Sequence, residues 1–493
     1  MLSELLVVAD FLIKVVALGT VPEDRRPGSS SAWLLLIFFI PLVGLPLFLL
    51  LGSPSVRGRR HRVQQQVNAV IAERLVDVPL LPEGQVADTH LRSVLGLNRR
   101  LTSFPCAAGE NRGLVAQDEL VAELVAQVRA ADSWVHVEFY IAALDATTEP
   151  FFAALGDAVR RGVRVRFLFD HLGARGYPGY HRMLRRLDAD GVQWRRMMPI
   201  DPLRRRWRRP DLRNHRKLVV VDGRVAVLGS QNLIDPGYLR ARNTRRGRRW
   251  VDLNVVLTGP VVQAVDAVFA TDWFIETGES VVGIDVALPA LEAPGRPGAG
   301  LRDDRDGTPS GGLYQVVPSG PGFPTEPNLR LFTALIHDAT STVSIVSPYF
   351  VPDEALEHAI TSAVYRGVAV ELFVSERADQ FMVHHAQRSY YGALLRAGVR
   401  IHRLPAPAVL HSKFLVVDSR IAVFGSSNMD MRSFQLNYEV SLLGLEPSFV
   451  TALEERAAGY RSASLELTVG EWARRSLLER YLDNAMRLTA AVP

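Results

Sequence analysis

Two stretches of the chain carry the same polar residues at the same spacing. Asn214 to Asn232 reads NHRKLVVVDGRVAVLGSQN, and Leu410 to Asn428 reads LHSKFLVVDSRIAVFGSSN. His215, Lys217, Asp222, Gly229, Ser230 and Asn232 return as His411, Lys413, Asp418, Gly425, Ser426 and Asn428, each 196 positions on (411 − 215, 428 − 232). Each copy holds a histidine that can attack or carry a proton, a fixed cation, and several neutral donors. That set suits a phosphate ester: lysine meets the phosphoryl oxygens as a point charge, and Ser and Asn add directed hydrogen bonds. One histidine cannot easily attack phosphorus and also protonate the leaving alcohol; two can. One would form a phosphohistidine while the other acts first as acid and then as base. Histidine's ordinary pKa of about 6.5 makes both protonation states reachable. A single H-x-K followed by Asp is commonplace on surface strands. The full H-x-K-x4-D-x6-G-S-x-N pattern in two equivalent places is not.

Each ring also needs an orienting carboxylate. Glu439 stands 28 residues after His411 in LNYEVSLLG, and Asp252 stands 37 after His215 in WVDLNVVLTG. The extra nine residues (37 − 28) fit an arginine-rich insertion between Arg242 and Arg249. Weaker signals come from His136 and Glu138, which an alternating strand explains equally well. His384 and His385 lack metal-ligand spacing and read as solvated helix residues. The run Arg204 to Arg213 reads equally as a solvated basic loop or as a contact for anionic head groups, the second placing Trp207 at the membrane interface. No phosphate loop of the Walker type and no GxGxxG fingerprint is present. No metal or other cofactor is expected, since lysines and donors already neutralise the phosphate.

The elements that must position these residues also come in duplicate. Helix-spaced Asp118–Ala131, strand-rich Trp134–Ala142, helix Phe151–Arg161, strand Val163–Phe169 and helix His181–Asp190 precede the first motif. Helix Asn328–Thr340, strand Val343–Val351, helix Ala355–Tyr365, strand Val368–Val374 and helix Tyr390–Ala397 precede the second. Asp222-Gly223 reads as the turn of a hairpin. The fold class is α/β, built as two copies of one unit meeting at a pseudo-twofold site. The expected halves are 106–290 and 313–493, joined by a linker over Ala287–Gly312, which is rich in Gly and Pro and carries the charged run RDDRD.

At 493 residues the chain can bury two or three cores. Lys and Arg exceed Asp and Glu by five (57 − 52), which suits anionic partners but decides nothing alone. Cys106 is the only cysteine, which excludes an intrachain disulfide and a paired-cysteine zinc site. Residues 1–55 differ in kind. Trp33 to Leu51 runs 19 residues without a charge, about 28 Å as a helix against a hydrocarbon core of about 30 Å. Leu5 to Leu18 is apolar too, with Asp10 and Lys14 spaced to pair. The expectation is a two-span helical hairpin, with Arg57, Arg59, Arg60 and Arg62 placing the rest of the chain in the cytoplasm. Residues 56–105 read as a connecting region.

Both motifs are those of the phospholipase D superfamily. The apolar N-terminal hairpin, the RNHRK lead-in at Arg213–Lys217 and SSNMDMRSFQLNYEV at Ser426–Val440 resemble bacterial cardiolipin synthases of the phospholipase D type over essentially the whole chain. The resemblance implies a duplicated phospholipase D-type α/β/α sandwich on the cytoplasmic side, preceded by a transmembrane helical hairpin in the cell membrane. It also implies transfer of a phosphatidyl group between two phosphatidylglycerols, giving cardiolipin and glycerol. It points to His215 as nucleophile and His411 as general acid, although the sequence alone leaves that order open. The expected site is His215, Lys217, Asp222, His411, Lys413 and Asp418, with Ser230, Asn232, Ser426, Asn428, Asp252 and Glu439 binding phosphate or orienting. The expected partners are phosphatidylglycerol and anionic membrane lipid. The competing readings are a phospholipase D that hydrolyses head groups, a nucleic-acid phosphodiesterase, and a membrane scaffold with a dead site.

Overall fold

The computed structural model describes residues 2–23, 25, 27–52, 59–201, 209–281, 311–323 and 325–490. Most of the expected linker and much of the arginine run, Trp207 included, lie outside them. A 16-stranded sheet runs through both halves. From one edge its strands are 193–197, 164–170, 134–139, 217–221, 225–229, 253–258 and 106–116. The order then mirrors itself through 312–319, 437–444, 421–425, 414–417, 342–346, 369–375 and 400–404 to the short strand 465–466. The halves join where Cys106–Gly109 pairs antiparallel with Gly312–Gln315. Helices Glu149–Arg160 and Glu354–Tyr365 supply the parallel crossovers within each half. The motif strands are buried throughout, as near-continuous apolar runs require.

Two short parallel ladders lie off this order and cross between the halves. Arg213–Asn214 pairs with Asn437–Tyr438, and Arg249–Val251 pairs with Ala408–Leu410. The residue after each partner in these ladders is a histidine on one side and a carboxylate on the other. Chain pairing thus delivers His215 beside Glu439 and His411 beside Asp252.

The connecting region is more than a connector. It forms helices Arg59–Arg74 and Thr89–Thr102, the second capped by Asp88. Leu91, Val94 and Leu95 enter the core of the second half, and Val67, Ile71 and Leu75 pack with Phe274 of helix Val261–Thr277.

The N-terminal region departs from the expected hairpin of two spans. The Asp10–Lys14 pair forms, at 2.6 Å. The Trp33–Leu51 run does not become one helix. It divides into Pro27–Phe39 and Pro41–Leu51, with Ile40 at φ −136° and ψ 66° between them. Pro41 has no N–H to donate, and it disfavours helical geometry at the residue before it. The two pieces fold back on each other. Trp33 meets Phe48 edge-on at 5.6 Å, and a side chain at Gly44 would strike the backbone of Leu36. Among the described residues no helix is long and apolar enough to cross a membrane.

Candidate active site

Each histidine ring is held by the acid of the opposite half. His215 Nδ1 lies 3.0 Å from both carboxylate oxygens of Glu439, and His411 Nδ1 lies 2.6 Å from Asp252 Oδ1. Sequence spacing placed each acid on the strand following its own histidine; the crossing ladders exchange them. With Nδ1–H donating to a carboxylate, Nε2 of each ring is left for chemistry.

Lys217 and Lys413 are buried, each with its ammonium donating to the carbonyl of the histidine two residues before it. They stand on one strand face with those histidines, as the period of two requires. Burial drives the Lys217 ammonium well below its ordinary value despite the Glu439 charge, and brings Lys413 down to about 8. An anion placed beside them would favour the charged form of both.

The two histidines are not equivalent. Burial, Lys217, Lys413, His411 and Arg432 together hold His215 well below the usual imidazole value. Burial lowers His411 too, but Asp252 opposes it. Asp252 itself stays below the ordinary aspartate value, burial being outweighed by His411 and Lys413. Glu439 behaves differently: burial lifts it to about 7 although Lys217 and Ser426 favour its charge. His215 is thus biased towards the neutral form, while Asp252 favours a proton on His411.

The hydroxyls and amides expected to bind phosphate mostly do something else. Ser230 Oγ donates to Asp252 Oδ1 at 2.6 Å, and Ser426 Oγ donates to Glu439 Oε2 at 2.5 Å. They position the orienting acids. Asn232 accepts from Ile141 N and donates to the Tyr238 hydroxyl. The Asn428 side-chain oxygen is buried with no hydrogen-bond partner among the described residues. Gly229 and Gly425 behave as the motif implies: a side chain at either would strike the backbone of strand 253–258 or 437–444.

Asp222 and Asp418 are the clear correction. They sit at the far ends of the motif strands, in hairpin turns, at φ 52° each. Asp222 accepts from the backbone N–H groups of Asp132, Ser133 and Trp134, and Asp418 from those of Thr340, Ser341 and Thr342. The aspartate of the motif staples the turn to the start of the neighbouring antiparallel strand and bonds there, not at the histidines. Asp222→Ala and Asp418→Ala should each cost about 1–2 kcal/mol of stability, with turnover per folded molecule unchanged. Backbone donors hold Asp418 down at about 2 against the ordinary 3.8. Its contribution is therefore complete above pH 3.8 and is lost as pH falls through 2. Urea melts beside activity assays test this; a collapse of turnover at full stability would return the aspartates to the site.

The comparisons fit this geometry. The family model described as "Cardiolipin synthase, PLD-like domain" matches residues 124–273 and 332–459, and "Phospholipase_D-nuclease N-terminal" matches 11–53. The chain is 31% identical over 483 residues to the cardiolipin synthase of Geobacillus kaustophilus (strain HTA426), covering 97% of this chain and 91% of that one. It is 30% identical to cardiolipin synthase A of Erwinia tasmaniensis, covering 96% and 94%. This chain belongs to the cardiolipin synthase family of phospholipase D-like enzymes. As a member it is a phospholipase D-type phosphatidyltransferase. Among solved structures, the phosphatidylserine synthase of Haemophilus influenzae Rd KW20 shares the fold, with TM-score 0.55 at 16% identity, covering 80% of this chain and 96% of that one.

Several residues of this phosphatidyltransferase site carry no motif signal. Tyr140 packs edge-on to His215 at 5.1 Å with Lys217 over its face at 5.5 Å, and Tyr238 faces His411 at 6.5 Å. Asp170, at the C-terminal end of its strand, accepts from Arg213 Nη1 and Asn214 N and so fixes the lead-in to His215. Only its place at a strand end pointed towards it. His136 is buried between Trp134 and Phe269 and bonds Asp266, so it is a core residue. His385 is not solvated either: it is buried against Asp483 at 2.7 Å.

Proposed function

We propose that this enzyme forms cardiolipin from two phosphatidylglycerols at a lipid surface, with His215 as nucleophile and His411 as acid and base. The halves 106–290 and 313–493 act as one catalytic unit. The observation that carries the reading is the crossed pair, His215 with Glu439 and His411 with Asp252, around two buried lysines. His215 Nε2 attacks the phosphorus of the first phosphatidylglycerol. The bond to glycerol breaks, and glycerol leaves with the His411 proton. A glycerol hydroxyl of the second phosphatidylglycerol then gives its proton to His411 and attacks the phosphohistidine, freeing His215. Lys217 and Lys413 offset the negative charge that builds in both steps.

Apolar residues exposed near the N-terminus support lipid contact, Phe39 at 81% and Leu42 at 90% exposed beside the turn of the folded-back pair. The helices of residues 2–52 hold the enzyme at the cell membrane, and the basic residues after them place the catalytic unit on the cytoplasmic side. Whether that region makes two passes is read by labelling cysteines placed at residues 23 and 52 from each side of the bilayer.

Purified enzyme given phosphatidylglycerol alone should yield cardiolipin and glycerol, seen by thin-layer chromatography and mass spectrometry and absent with His215→Ala. Phosphatidic acid as the sole lipid product would make water the acceptor and the enzyme a lipase.

A further inference from the structure

The connecting region sends one side chain under the nucleophile. Arg60 begins the helix that follows the apolar N-terminus, and it is only 3% exposed. The sequence counted it among the basic residues flanking a membrane segment. In the fold its guanidinium instead pairs with Asp272, at 3.2 Å, and with Glu276, and lies over the ring of Tyr438 at 4.7 Å.

Those partners lead to the site by short steps. The second oxygen of Asp272 takes Arg216. Arg216 Nε donates to the carbonyl of Glu439 at 3.1 Å, and its guanidinium also faces Tyr438, at 5.7 Å. The Tyr438 carbonyl accepts from His215 N at 2.8 Å. Glu439 is the acid that orients the His215 ring. Arg60 and Arg216 thus brace the Tyr438–Glu439 segment from beneath, tied together by one shared aspartate. Glu138 lies in the same cluster, fully buried, beside Asp272, Arg216 and Asn214. Burial and the Asp272 charge raise it well above the ordinary range, while Arg216 opposes them. Arg60 and Arg216 face Asp272 and Glu276.

The other half is built without this cluster. The counterpart of Arg216 at the offset of 196 is Ser412, which bonds Val251 O and the Tyr460 hydroxyl. The segment beside His215 is braced by a charged cluster to which one residue, Arg60, comes from outside both repeats.

We propose that Arg60 is a positioning residue for His215, acting through Asp272, Arg216 and Tyr438–Glu439, so that the segment after the apolar helices is part of the catalytic scaffold. The inference rests on His215 as nucleophile. A buried ion pair broken on one side is destabilising, and a charge-matched change is tolerated better. Arg60→Lys keeps the charge but loses the planar fork that spans two carboxylates and stacks on a ring. The charge-balanced Arg60→Met/Glu276→Gln keeps one arginine on Asp272.

The test measures melting temperature, kcat and KM for phosphatidylglycerol on the full chain of both variants. We expect kcat to fall about 10- to 100-fold with KM within about twofold, since small misplacements of a reacting group act on turnover. In both variants the fall should persist when turnover is scaled to folded protein. In single-turnover experiments the covalent step should slow and its breakdown should not. Wild-type kcat in either folded variant, or a loss confined to KM, overturns the proposal. Assigning the nucleophile is a separate experiment, labelling of the histidine variants. Label on His411 would therefore remove the premise without being confused with a failed Arg60 result.

Discussion

His411→Ala, given a phosphatidyl ester of p-nitrophenol, should release one equivalent of nitrophenol and stop with the lipid bound to His215. His215→Ala should release none. Nitrophenolate departs without a proton, so the first step no longer needs an acid. The second step still needs a base to activate the incoming hydroxyl, and the methyl group left by His411→Ala supplies none. With phosphatidylglycerol as donor the same variant fails at the first step, because an alkoxide leaves only when protonated. Loss of the acid and base should lower steady-state turnover about 10²- to 10⁴-fold. Loss of the nucleophile removes the covalent path altogether. The asymmetry on which this rests is electrostatic: burial and four cationic or ionisable neighbours hold His215 neutral, while Asp252 supports a proton on His411. A burst from His215→Ala with none from His411→Ala would exchange the roles. Bursts from both would remove the separation of roles.

Much of this was legible because the chemistry is duplicated. Several periodic segments became elements within a few residues of expectation: Phe151–Arg161 is helix Glu149–Arg160, and Val163–Phe169 is strand Arg164–Asp170. Others did not: the helix read as Tyr390–Ala397 begins at Phe381, and Val343–Val351 breaks into strands Thr342–Val346 and Phe350–Val351. Of the six repeated positions, the histidines and lysines come together in the fold. The repeated positions misplaced the aspartates because a repeated residue can be repeated for the fold; Asp222 at a hairpin turn meets backbone donors of the next strand in both copies. They also left hidden which acid serves which histidine, since exchange between halves depends on ladders of two or three residues. For the serines the spacing left two roles open, and only the structure shows Ser230 donating to Asp252 and Ser426 to Glu439. Arg60 was illegible altogether. An arginine after an apolar run reads as a solvated flank, and only the burial of helix Arg59–Arg74 against helix Val261–Thr277 changes its meaning.

The crossed acids should separate on the pH axis. Glu439 is lifted to about 7 by burial, and it must be ionised to accept the Nδ1 proton of His215 and leave Nε2 free. As pH falls through about 7 the carboxylate takes up a proton, the useful tautomer is lost, and turnover drops. His215 adds no limb there, because burial and the facing Lys217, Lys413, His411 and Arg432 keep its own titration well below the usual value. Glu439→Gln should therefore lower turnover at pH 8 about 10²- to 10⁴-fold, as loss of the correct tautomer does elsewhere. It should also move the acid limb down, below 6.5. Asp252→Asn acts on the other side of the profile. Asp252 favours the charged form of His411, so its removal lowers that imidazole further, and the proton donor is lost at lower pH. The alkaline limb should shift towards acid, with the acid limb held in place by the intact Glu439. Rate profiles of both variants between pH 5 and 9 decide it: limbs that do not move, or that both move in one variant, would mean that the two carboxylates do not serve separate histidines.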